Sequence, residues 1–139
     1  MKVSGGKMGL IFNKGYDVVY YQKPDGSVPV SLFLDELSPK MQAKLIKEIG
    51  LLKKNGPQLG EPYSKFLNDG IYELRCQTEG NISRIFYFFI SGKKVIMTNG
   101  FVKKSEKTPP NELEKAIRYR QDYLNKQQKE KWNDSQLQG

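Results

Sequence analysis

Residues 71–110 leave few folds open to this chain. They read IYELRCQTEGNISRIFYFFISGKKVIMTNGFVKKSEKTPP. Three segments rich in aromatic and β-branched residues, Ile71–Gln77, Ser83–Ser91 and Lys94–Val102, are separated by two tight-turn signals. The first signal is Glu79-Gly80-Asn81 and the second contains Gly92. That spacing predicts a three-strand antiparallel meander. Ile85–Ile90 is apolar at six consecutive positions, so the middle strand has no polar face and must be covered on both sides. The third strand runs into a group of lysines that ends at Thr108-Pro109, the residue types expected at an N-cap and a first helical position.

The rest of the chain supplies the two covering layers. Tyr16–Gln22 is rich in Tyr and Val and predicts a strand, ended by the turn Lys23-Pro24-Asp25-Gly26-Ser27. A helix begins at Ser27 or Val28, with Pro29 in its first turn and Val30, Phe33, Leu34 and Leu37 on one stripe. Ser38-Pro39 starts a second helix. It turns Met41, Leu45, Ile46, Ile49 and Leu52 inward and Lys40, Lys44, Lys47, Lys53 and Lys54 outward. Asn55-Gly56-Pro57 stops it. Residues 56–70 read as a connection, with Pro62-Tyr63 and Phe66-Leu67 as its anchors. The last helix puts Leu113, Ala116, Ile117 and Leu124 on one side. The prediction is an α+β domain: an antiparallel sheet, made of the N-terminal strand and the meander, packed with two N-terminal helices and one C-terminal helix. Residues 1–15 read as an N-terminal extension, 16–126 as the domain and 127–139 as a polar, fraying tail.

Charge and composition narrow the chemistry. The 139 residues hold 23 Lys and Arg against 15 Asp and Glu, a net charge of +8, which favours a polyanion or an acidic protein as partner. The chain has no histidine and one cysteine, Cys76. Serine triads, histidine acid–base pairs and histidine metal sites are therefore excluded, and neither a metal site nor a cofactor is expected. An intrachain disulfide is equally excluded, which fits a reducing cytoplasm. The longest apolar run is far short of a membrane span.

Cationic candidates cluster around the meander. Arg75 lies in its first strand and Arg84 opens its second. The short turn puts them on neighbouring strands, whereas a shared face depends on register. Each has a structural alternative, an ion pair with Glu73 or Glu79 at the sheet edge. Arginine's planar fork suits phosphate oxygens, so two of them beside lysines point to phosphate contact. Lys93, Lys94, Lys103, Lys104 and Lys107 lie within fifteen residues that contain one acid, Glu106. Lysines massed before a helix start are either solvated or hold an anion, and their proximity lowers their pKa values toward those of a base. Tyr72, Tyr87, Tyr119 and Tyr123 are candidates for stacking on bases, with packing in the core as the alternative.

With these residues in place, a resemblance is visible. GIYELR (70–75), RIFYFF (84–89), NGFVKKSEKTP (99–109) and NELEKAIRYRQDY (111–123), preceded by GEPYSKFL (60–67), resemble the phage-derived branch of the RelE/HigB-like toxins, over roughly residues 16–126. The resemblance implies the toxin of a type II toxin–antitoxin pair, a cytoplasmic protein that enters the ribosome and cuts mRNA. It implies as partner a helix-turn-helix antitoxin encoded downstream, through which operator DNA would be reached. By the same resemblance Arg75 contacts the scissile phosphate and Arg84 supports it. Lys103, Lys104 and Lys107 bind RNA or move protons, Lys104 and Lys107 being the catalytic candidates. Lys93, Lys94 and Tyr72 complete the expected RNA-binding set. Many such toxins carry a histidine just before the Gly-Phe pair, where this chain has Asn99, so any catalysis must run on Arg, Lys and Tyr. Other readings stay open. A ParE-like gyrase poison would use the same fold against a protein target, a nucleic-acid-binding module would bind without cutting, and a phage remnant would do neither.

Overall fold

The meander forms in the predicted order in a computed structural model that describes residues 15–78, 80–103 and 109–138. Its strands are β3 (Tyr72–Thr78), β4 (Asn81–Ile90) and β5 (Lys94–Lys103), each antiparallel to the next. Two further strands extend it, β1 (Asp17–Tyr20) and β2 (Ser64–Phe66), giving the order β1-β5-β4-β3-β2.

The predicted α+β class holds, with two differences in the sheet. β1 runs parallel to β5, Asp17 opposite Lys94 and Tyr20 opposite Met97, so the sheet is mixed rather than antiparallel. A parallel neighbour requires a long crossover, and here the helices and the other strands provide it. The second difference is β2, which occupies part of the expected 56–70 connection and pairs antiparallel with Tyr72–Leu74.

Three helices cover the two faces. Helix α1 (Pro29–Glu36) starts on Pro29 without a side-chain cap and buries Val30, Phe33 and Leu34. Helix α2 (Pro39–Asn55) is capped by Ser38, whose Oγ accepts from the Met41 amide at 3.2 Å. It ends at Gly56, whose φ of 57° and contact with the Tyr16 ring leave no room for a side chain. Inward from α2 point Leu45, Glu48, Ile49 and Leu52, whereas Ile46 is 52% exposed. The expected inward stripe thus contained Ile46 wrongly. A step of one residue turns a side chain about 100° around the helix, and the i, i+3, i+4, i+7 set from Leu45 selects Glu48 instead. Helix α3 (Pro110–Gln138) starts one residue after Pro109 and stays helical to Gln138 through the expected fraying tail, with residues 128–136 exposed. Among the described residues no helix is long and apolar enough to cross a membrane.

The sheet therefore separates two cores. Leu74, Cys76, Ile85, Tyr87, Val95 and Met97 pack under α1 and α2. Ile71, Phe86, Phe88 and Ile96 pack under α3 with Tyr21 and Ala116. The expectation for Ile85–Ile90, apolar cover on both faces, is met. Opposite Phe86 the register slips by one, leaving Thr98 and Asn99 as a bulge on β5. Asn99 then reaches α3 and donates from Nδ2 to the Glu112 carbonyl at 3.1 Å.

Candidate functional site

Register decides what the arginines can do. Arg75 on β3 and Arg84 on β4 are direct cross-strand partners, so their side chains leave the same face of the sheet. It is the face toward α3, shared with Glu73 two residues earlier on β3. Lys103 joins them from β5, because it pairs with Ile82, which lies two residues from Arg84. Among the described residues three cations, Arg75, Arg84 and Lys103, thus meet Glu73 at one end of the sheet.

Their environments differ. Glu73 and Arg84 are both nearly inaccessible, and Arg84 Nη1 donates to Glu73 Oε1 at 2.7 Å. The Nε and Nη2 groups of Arg84 have no hydrogen-bond partner among the described residues. The buried guanidinium thus satisfies one donor and leaves others uncompensated, an electropositive arrangement. Arg75 is the accessible member, with 30% of its side chain exposed and Nε 4.0 Å from Glu73 Oε2. Glu73 lies between both arginines: Arg84 fixes the carboxylate, and the carboxylate restrains Arg75. Lys103 is also buried, which rules out, for this residue, the solvated alternative of the two that the sequence left open.

The other predicted residues divide three ways. Lys104 and Lys107 lie outside the described residues. Lys93 and Lys94 fall at the opposite end of β5 from Lys103, nine residues or about 30 Å away. Lys93 rests over the Tyr16 ring at 5.8 Å, and Lys94 lines a groove of about 710 Å³ between the β4–β5 turn and α3. Tyr72 leaves the sheet on the α1–α2 face, away from the arginines, stacked on Tyr87 with centroids 5.4 Å apart. Tyr87 is buried and hydrogen-bonds with Ser64. Tyr119 stacks on Tyr21, and Tyr123 meets Phe88 edge to face. Each of these rings is engaged in packing rather than in a stacking platform.

Residues not singled out from the sequence complete the neighbourhood. Because β2 ends its pairing at Leu74, the edge of β3 from Arg75 onward faces a cleft of about 450 Å³. Lys44, Glu48, Tyr63, Arg75 and Gln77 line it. Lys44 Nζ donates to the Gln77 carbonyl, and Arg75 donates its amide to the Tyr63 carbonyl at 2.8 Å. Glu48 is buried at the wall with Oε2 unpartnered, and that burial pushes its pKa from 4.5 up to about 6 against the pull of Lys44 and of the Cys76 thiol. Its signal was available, as a carboxylate within an apolar stripe. Asn99 is buried as a tie to α3.

Comparison with known families bears on these features. A family model described as phage-derived protein, Gp49-like (DUF891), matches residues 32–121, which run from within α1 through α2 and the whole meander into α3. No curated protein matches the chain.

Proposed function

The chain belongs to the phage-derived Gp49-like family, and from that premise we propose that it is the toxin of a type II toxin–antitoxin pair, an endoribonuclease acting on mRNA at the ribosome. The observation that carries this reading is the cross-strand pairing of Arg75 with Arg84, with Glu73 between them and Arg75 open to solvent. RNA carries its own nucleophile, the 2′-hydroxyl. An enzyme that cuts it has to orient that group, stabilise charge on the phosphorane and move protons.

Arg75 would bind the scissile phosphate through two guanidinium N–H groups and stabilise the charge that develops on it. Arg84 acts one step behind, holding Glu73 and through it the position of Arg75. Lys103 adds positive potential on the same face. In this reading the cell keeps the protein silent with a helix-turn-helix antitoxin encoded alongside it, and operator DNA is contacted through that partner. Its place of action is the cytoplasm, where ribosomes and mRNA meet.

The reading is tested with purified protein and ribosomes translating a 5′-labelled mRNA. The expected result is cleavage within the reading frame that leaves 5′-hydroxyl ends, slowed about 100-fold by Arg75→Ala. Intact mRNA together with inhibited DNA supercoiling by gyrase would overturn it in favour of a gyrase poison.

A further inference from the structure

Cleavage at the Arg75 end leaves unused the groove of about 710 Å³ between the β4–β5 turn and α3. We propose that this groove docks an acidic amphipathic helix of a protein partner, and that the partner is the antitoxin. The proposal rests on the toxin–antitoxin reading and adds to it the surface by which the toxin is held.

Helix geometry builds one wall. Leu124, Gln127, Gln128 and Lys131 line the groove from α3, at i, i+3, i+4 and i+7, so they form a single stripe. Leu124 is the last of these that packs on the core, and residues 128–136 are exposed although α3 runs on to Gln138. About 16 Å of helix, residues 128–138 at 1.5 Å each, therefore continues past the core beside the groove. A helical segment that short is marginal in water on its own, and a second helix laid along the stripe would support it by ordinary helix-on-helix packing.

Charge decides the kind of partner. Lys94 stands on the β5 side and Lys131 on the α3 side, and no carboxylate lines the groove among the described residues. Neither lysine is in an ion pair with a described residue. The apolar lining is Phe89, Ile90 and Leu124. A helix that matches has an apolar stripe with carboxylates on both flanks. Trp132, 63% exposed and one turn beyond Gln128, offers an aromatic anchor further along α3. A nucleic acid matches less well, because its backbone samples charge over a wider surface. Asp17 stands opposite Lys94 on β1, and Glu130 and Asp134 flank Lys131 along α3. These acids offset the lysines for a polyanion yet stay out of the groove lining. Lys94 is nine residues from Lys103 on β5, about 30 Å, so a helix docked here does not need Arg75.

The test co-expresses the full chain with the protein encoded beside its gene and measures the dissociation constant of the purified pair by calorimetry. Lys94→Glu, Lys131→Glu and Trp132→Ala should each weaken binding about 30-fold, and Arg75→Ala should leave it unchanged. Lys131 and Trp132 are exposed, so their variants should keep the wild-type thermal midpoint, and Lys131→Glu should cut ribosome-bound mRNA at the wild-type rate. Binding within twofold of wild type in all three groove variants overturns the proposal and leaves the toxin–antitoxin reading standing. Absence of binding by wild type removes both. Loss of single-stranded RNA binding in the groove variants, with the protein partner still bound, assigns the groove to RNA and overturns the proposal. A dimer of this chain in sedimentation that the same variants dissociate assigns it to a second copy, with the same consequence.

Discussion

Glu73 sits between two arginines, and its charge is what makes the burial of Arg84 tolerable. Deleting one member of a buried ion pair strands the other, so Glu73→Gln should lower stability by about 3 kcal/mol, read from the urea midpoint at constant slope. Replacing Arg84 with Met in the same chain should recover part of the loss. Glu48 has the opposite sign. Its folded pKa of about 6 lies above its ordinary 4.5, so the fold favours the protonated form. Its burial costs nothing below pH 4.5, where both states are protonated. The cost appears as pH rises through the window to about 6 and persists above it. Glu48→Gln should therefore be more stable than wild type at pH 7.5 by about 1 kcal/mol, a figure reduced from the full shift because the cleft admits solvent. That gain should vanish by pH 4 in parallel thermal melts.

At the scale of elements, the bulge and Gly100 fix how α1 meets β5. A side chain at Gly100 would place its Cβ 2.5 Å from Phe33 Cδ2 and 3.0 Å from the Arg84 carbonyl. Gly100→Ala should cost about 2 kcal/mol, visible as a lowered thermal midpoint, because one contact is ring and the other backbone. The meander and both ends of α2 were legible in the sequence, since their signals are local: turn residues at fixed spacing, Ser38-Pro39, Asn55-Gly56; the expected Thr108 cap lies outside the described residues. The direction of β1 was not, because it depends on where the chain returns after α2 rather than on residues 17–20 themselves. Three-residue β2, with Ser64 buried and Lys65 and Phe66 exposed, carries no alternation to detect. The same divide runs through the site. Adjacent strands could be inferred for Arg75 and Arg84, whereas the burial of Arg84 and Lys103, and the turning of Tyr72 to the opposite face, follow from register and packing. Glu48 was hidden by an apolar count that preferred Ile46 as its neighbour in the stripe.

Across the whole molecule, positive charge is not spread evenly in function even though the net charge is +8. Among the described residues, one end of the sheet gathers Arg75, Arg84 and Lys103 around Glu73, and the cleft beside it adds Lys44 and Glu48. The other end carries Lys93 and Lys94, too far away to share a substrate phosphate. In the proposed function, cleavage belongs to the first of these ends, with Arg75 as the group that meets RNA. The direct measurement is mapping of new mRNA 5′ ends in cells that express wild type or Arg75→Ala at equal level, with translation running and with it blocked. The account predicts cuts inside translated frames for wild type, few for Arg75→Ala, and few when translation stops. Growth arrest without new ends, or cuts that persist in Arg75→Ala, would contradict it.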